Sequence, residues 1–141
     1  MKARVRWIED RNFVAESGSG HALVVGASQG AEHPALGAGP MELVLIGLGG
    51  CSAIDVVLIL EKGREAVRGC EIELEAERAD KEPKVFTRIH MHFVVTGRGL
   101  SPAKVERAIE LSAETYCSVS VMLDKTAQIT HDFEIVDAPE G

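Results

Sequence analysis

Three cysteines, Cys51, Cys70 and Cys117, are the residues best suited to covalent chemistry in this chain. An ionised thiol is a nucleophile, and two thiols that meet can give up two electrons as a disulfide. No pair is spaced C-x-x-C, which excludes a thioredoxin-like motif and a zinc ribbon, and the odd count argues against a disulfide scaffold. Cys51 follows Gly49-Gly50 inside an apolar stretch. If the helix breaks at those glycines, Cys51 opens a new first turn, where the partial positive charge favours thiolate. Asp55, at i+4, shares its face and opposes a thiolate unless a cation pairs with it. Cys117 stands where one helix ends and Ser118 can cap another, so the same terminus argument applies to it. Taken singly, each of the two is more readily a small core hydrophobe than a nucleophile. Cys70, behind Gly69 at the edge of a strand, is expected to be inert.

The other polar candidates say less. His90 and His92 alternate along a strand and share a face, as metal ligands sometimes do, but no Cys or carboxylate at ligand spacing accompanies them. A surface histidine pair is the expectation, with no metal and no cofactor. His21, His33 and His131 have no context to interpret. The glycine-rich loop from Gly26 to Gly39 matches neither G-x-G-x-x-G nor a P-loop, so no phosphate cradle is read there.

The elements that must position these residues follow from periodicity. Ala3 to Ile8, Phe13 to Glu16 and His21 to Val25 read as three strands of a small antiparallel meander, separated by turn residues at Glu9–Asn12 and Ser17–Gly20. The loop 26–40 has no period and is of a length that is often functional. Pro40 suits the first turn of a helix that starts at Met41. Gly47, Gly49 and Gly50 each cost about 1 kcal/mol against alanine there, and so predict a kink, a break or a close approach of another backbone. The helix resumes through Arg64, with Lys62, Arg64 and Arg68 suited to its C-terminus and Gly69 able to stop it. Glu71 to Arg78 alternates Ile72, Leu74 and Ala76 with glutamates, a half-buried strand with a solvated acidic face. It pairs as a hairpin with Val85 to Thr96, whose Ile89, Met91, Phe93 and Val95 share one face. Ser101-Pro102 marks a helix start. Val105, Ala108, Ile109, Ser112 and Tyr116 form its stripe, and a short helix over Val119 to Leu123 follows. Gln128 to Val136 is a final strand, and 137–141 a polar tail. Segregated strands and helices in this order give α+β rather than a doubly wound fold.

Composition bounds the rest. The 141 residues suit one domain, 1–141. Aromatics are only 4%, so the core must be built from Val, Leu, Ile and Ala. A net charge of −7 and a pI of about 5.2 argue against a nucleic-acid or anionic-membrane partner, which would need a field of Lys and Arg. Met41 to Leu60 is the most apolar stretch, yet Glu42 and Asp55 leave an uncharged core of only Leu43 to Ile54, short of the roughly 20 residues a membrane span needs. No basic segment precedes an apolar one as in a signal peptide, so a cytoplasmic location is expected.

The segment GPMELVLIGLGGCSAIDVVLIL, together with SAETYCSVSVML, resembles the OsmC/Ohr family of osmotically inducible and organic hydroperoxide resistance proteins, most closely its YhfA-like branch. The resemblance implies an OsmC-like fold: antiparallel sheets wrapped around two long central helices in an intertwined homodimer, with active sites at the subunit interface. It also implies a thiol peroxidase of organic hydroperoxides, in which Cys51 attacks, Cys117 resolves and a dithiol reductant clears the disulfide. Arg11, in an N-terminal turn, would be the cation that stabilises the thiolate. Met41 stands where the peroxidases carry a functional glutamate, and Glu42 beside it points about 100° away on a helix. Ser118 replaces the proline that often follows the second cysteine. These departures keep a rival in play: a non-enzymatic dimer that binds a small apolar ligand, or senses oxidation, at the subunit interface.

Overall fold

The computed structural model describes residues 1–139, and the end of the expected polar tail, Glu140 and Gly141, lies outside them. The chain forms two compact units, Met1–Ile46 and Gly47–Gly141.

The first unit is the expected antiparallel meander: β1 (Ala3–Glu9), β2 (Asn12–Ser17) and β3 (Ala22–Gly26), in that order across the sheet. Trp7 pairs with Phe13, and Val14 with Val24. The loop after Gly26 is held without regular structure. Buried Asn12 accepts from the Leu36 N–H at 2.9 Å through its Oδ1, and Ala38 bridges to Val25. Burying an amide side chain is unfavourable unless it is bonded, so this contact ties the loop to the start of β2. Glu42 closes the loop from the other side, its Oε1 accepting from the Gly39 N–H at 3.0 Å at the start of the first helix.

That helix, α1 (Pro40–Lys62), is unbroken. Of the outcomes that Gly47, Gly49 and Gly50 left open, the break does not occur, and Cys51 therefore lies in mid-helix rather than in a first turn. Gly49 has a packing reason: a Cβ there would stand 2.9 Å from Leu74 Cδ1 of the neighbouring strand. Gly47 and Gly50 face open space. Leu48, Val56 and Leu60 are buried, and burying three such side chains contributes several kcal/mol, enough to offset the glycines. The helix stops earlier than expected, at Lys62, with Arg64 in a positive-φ turn at +60°. Arg68 and Gly69 belong instead to the next strand, which also holds Cys70 as expected.

In the second unit, β4 (Ala66–Arg78), β5 (Phe86–Arg98) and β6 (Gln128–Asp137) form a sheet in that order. β4 and β5 are the expected antiparallel hairpin, with Leu74 opposite Met91 and Cys70 opposite Val95. β6 runs parallel to β5, Phe93 beside Phe133, so this sheet is mixed rather than wholly antiparallel. A parallel neighbour requires a crossover connection, which the helical segment between β5 and β6 supplies. Ile89, Met91, Phe93 and Val95 are buried as their alternation predicts.

That segment is not one long helix. α2 (Pro102–Leu111) starts at the expected cap, Ser101 Oγ accepting from the Lys104 N–H, and runs into a π-helical turn at Ser112–Tyr116. The short α3 (Ser118–Leu123) follows. The wider π turn moves Tyr116 off the buried stripe, where it is exposed, while Ser112 and Cys117 are buried. By length and composition α1 could cross a membrane. Leu48, Val56 and Leu60 of that stretch are buried, and Asp55 interrupts it with a hydrogen-bonded carboxylate.

Candidate functional site

The site begins with the spacing of α1. A rise of 1.5 Å and 100° per residue brings Cys51, Ser52 and Asp55 within about one turn of one another, with Cys51 and Asp55 on one face at i,i+4. The chain beyond α2 comes to meet them. In the π turn the Cys117 N–H donates to the Ser112 carbonyl at 2.8 Å, so Ser112 and Cys117 are bound at the two ends of a single loop of backbone. Cys117, not Ser118, caps α3: its backbone is extended, and its Sγ accepts from the Ser120 N–H at 3.3 Å.

Cys51 Sγ, Cys117 Sγ and a carboxylate oxygen of Asp55 all lie within 4.8 Å of one another. Both cysteines are free thiols. The 66 positions between them (117 minus 51) say nothing about this proximity, and folding alone creates it. Around the three is a shell of serines. Ser112 Oγ donates to Asp55 Oδ2 at 3.0 Å. Ser52 Oγ donates to Cys117 Sγ at 3.5 Å. Ser120 Oγ donates to the Ala113 carbonyl at 3.4 Å, which braces the start of α3. Among the described residues, no buried side-chain nitrogen or oxygen lacks a partner.

The two thiols differ in access. Cys117 has no exposed surface, whereas Cys51 is half-buried. Burial pushes the Cys117 thiol above its ordinary pKa. Neighbouring Cys51 pushes in the same direction, and the hydrogen bonds from Ser52 and Ser120 oppose it. Asp55 finds a hydroxyl donor in Ser112 rather than the cation that sequence reasoning asked for.

The remaining candidates sit on other elements of the chain. Arg11 is exposed in the turn between β1 and β2, in the first unit, and its carbonyl accepts from the Ala27 N–H at 3.1 Å. Glu42 is committed to Gly39, as described. Cys70 is half-buried on β4, with its thiol also pushed up by burial. His90 and His92 do share a face of β5, and both bond the same oxygen of Asp132 on β6, at 3.1 and 2.7 Å. Thr130 engages the other nitrogen of His90 at 2.7 Å. The carboxylate partner comes from the parallel neighbour, so spacing along β5 could not reveal it.

Sequence reasoning missed the serines. Ser112 stood on the predicted buried stripe of α2, and a polar residue there was the available signal that something opposite needed a donor. Ser52 and Ser120 carried no such signal.

Comparison with known proteins places the chain in a family. The chain is 51% identical over 138 residues to Protein YhfA of Escherichia coli K12, covering 98% of this chain and all of that one. A solved structure of a hypothetical protein from Aquifex aeolicus superposes with a TM-score of 0.86 at 28% identity, covering 98% of this chain and 97% of that one. The organic hydroperoxide resistance protein OhrB of Bacillus subtilis shares the fold at a TM-score of 0.65 and 18% identity, covering 95% and 98% of the two chains. With a family model described as OsmC-like protein matching residues 31–132, a stretch that holds both cysteines and the serine shell, the chain belongs to the OsmC-like family.

Proposed function

We propose that this is a thiol-dependent redox protein, a weak reductase of organic hydroperoxides, with Cys51 as nucleophile and Cys117 as resolving thiol. The observation that carries the reading is the approach of the two sulfurs within 4.8 Å beside Asp55. Access assigns the roles. Half-buried Cys51 can meet a hydroperoxide, whereas fully buried Cys117 can meet only what forms on Cys51.

The Cys51 thiolate attacks the terminal peroxide oxygen. The O–O bond breaks, the alkoxide leaves and takes a proton as the alcohol, and Cys51 becomes a sulfenic acid. Cys117 sulfur then attacks that sulfur. Hydroxide leaves with the Cys117 proton as water, and an S–S bond forms. A dithiol reductant reopens it by exchange. Arg11 is proposed as the cation at the attacking thiolate, on the resemblance of its turn to the family's. Naming within the family favours the substrate class, since OhrB is called an organic hydroperoxide resistance protein.

The working unit is proposed to be a cytoplasmic homodimer. Ile46, Ile54 and Leu58 of α1 are about half exposed or more, and Gly47 and Gly50 leave room for a second backbone. A monomeric mass at micromolar concentration would refute the dimer.

The functional test is consumption of an organic hydroperoxide in the presence of a dithiol. Cys51→Ser should abolish turnover. Cys117→Ser should halt at a sulfenic acid that dimedone traps. Parental activity in Cys51→Ser would end the proposal.

A further inference from the structure

We infer that Cys51, Asp55 and Cys117 form a binding site for one thiophilic divalent cation, of which Zn²⁺ is the type, with a fourth coordination position left open. The inference uses the side chains of the proposed redox site but does not depend on the peroxidase reading.

Ligand identity comes first. Two sulfurs and one carboxylate oxygen are a soft set with one hard member, which suits Zn²⁺ and disfavours Mg²⁺ or Ca²⁺. Geometry agrees. Zinc bonds sulfur at about 2.3 Å and carboxylate oxygen at about 2.0–2.2 Å, so a tetrahedral ion holds two sulfurs roughly 3.8 Å apart. The three ligand atoms already lie within 4.8 Å of one another, and a contraction of at most about 1.2 Å completes the set. Among the described residues no other three His, Cys, Asp or Glu ligand atoms gather this closely, the His90–His92–Asp132 group included.

Independent of the ligands, the surroundings are built in the manner of a metal site. Metal-bound carboxylates and thiolates are held by outer hydrogen bonds that fix their orientation. Here Ser112 Oγ holds one oxygen of Asp55, and the carboxylate keeps a second. Ser52 Oγ and the Ser120 N–H both donate to Cys117 Sγ. Cys117 and Ser112 are buried while Cys51 and Asp55 are partly open, so an ion or a fourth ligand from solvent has access past Cys51 and Asp55. Binding releases the thiol protons to solvent, one from each cysteine, and occupies the lone pairs that would attack a peroxide. A bound ion therefore protects both thiols from oxidation, and the site holds either an ion or a disulfide, not both.

Co²⁺ is the probe. Titrated anaerobically into the reduced full-length protein, it should bind one ion per chain, with thiolate-to-cobalt charge-transfer absorption and tetrahedral d–d bands that Zn²⁺ bleaches. Cys51→Ser and Cys117→Ser should each remove at least half of the charge-transfer intensity. Ser112→Ala, which leaves every ligand in place, should weaken affinity roughly 10-fold or more. Cys70→Ser and His92→Gln should leave the spectrum unchanged. Far-UV circular dichroism of each variant separates lost ligation from lost fold, and Asp55→Ala gives a second ligand variant that spares both sulfurs. A parent protein without the charge-transfer band overturns the inference, as does a band that survives at full affinity in a folded Cys117→Ser or Asp55→Ala. Peroxide-driven disulfide formation without metal binding would sink the cation site and leave the redox reading standing. Metal binding without any disulfide would do the reverse.

Discussion

Oxidising Cys51 to Cys117 should stabilise the protein, by an amount that the structure lets one work out. The cross-link closes a loop of about 66 residues, and the chain-entropy relation gives about 4.4 kcal/mol for removing that freedom from the unfolded state. Against this stands what the native state must surrender. The sulfurs lie within 4.8 Å and must close to about 2.05 Å, an approach of as much as about 2.7 Å. Cys117 Sγ then leaves the Ser120 N–H that it caps, a contact of about 1 kcal/mol by comparison with ordinary N-caps. The thiol also weakens as acceptor for Ser52. A net gain of about 3 kcal/mol remains, or a rise of about 1.5 M in the urea midpoint for an m-value near 2 kcal/mol/M. The assay is urea unfolding of Cys70→Ser, which removes the third thiol, compared between peroxide-oxidised and dithiol-reduced samples. Mass spectrometry should show a loss of two hydrogens per chain on oxidation. An unchanged or lowered midpoint in a protein shown to carry the cross-link would refute the argument, because it would mean that the two helical segments resist the approach. Two free thiols at 51 and 117 after peroxide treatment would refute it sooner.

Alkylation at neutral pH should label Cys51 at least about 10-fold faster than Cys117, because burial keeps the latter a thiol and denies it reagent; peptide mass mapping reads the ratio. Ser112→Ala should cost about 1–3 kcal/mol in urea unfolding, since it strips a hydroxyl donor from a half-buried carboxylate; a loss of only a few tenths would mean that water replaces it. The His92–Asp132 pair should make stability depend on pH in a definite sense. Asp132 first raises the His92 pKa by hydrogen bonding, and His92 in turn lowers that of Asp132. The histidine contribution is complete below its ordinary value of 6.5 and fades as pH rises through the elevated one. The carboxylate contribution is complete above 3.8 and fades as pH falls through the depressed one. Stability from this pair should therefore peak between about 4 and 6.5. Asp132→Asn should flatten that profile, and an NMR midpoint of His92 at or below 6.5 in the parent would contradict it.

Local rules carried most of the elements. Strict alternation on β5 put Ile89, Met91, Phe93 and Val95 in the core, and Ser101-Pro102 opened α2 where capping chemistry requires. Both are decided by neighbours along the chain, so sequence alone determines them. The i,i+4 relation of Cys51 and Asp55 is of the same kind and held once the helix formed. The glycines of α1 misled because helix propensity is a weak local preference. The burial of Leu48, Val56 and Leu60, and the seat that Gly49 leaves for Leu74, outweigh it and come from elsewhere in the chain.

Tertiary structure alone decided the site. Nothing within a few residues of Cys117 predicts a π turn, a sulfur serving as helix cap, or a second sulfur within 4.8 Å from a helix 66 positions earlier. The parallel docking of β6, which brings Asp132 to His90 and His92, is likewise a pairing between strands some 40 residues apart. Such contacts form only after the chain has met the entropic cost of closing long loops, and they are chosen by the fit of the packed whole. The residue types could therefore be read as chemistry in waiting, while their meeting was a property of the fold.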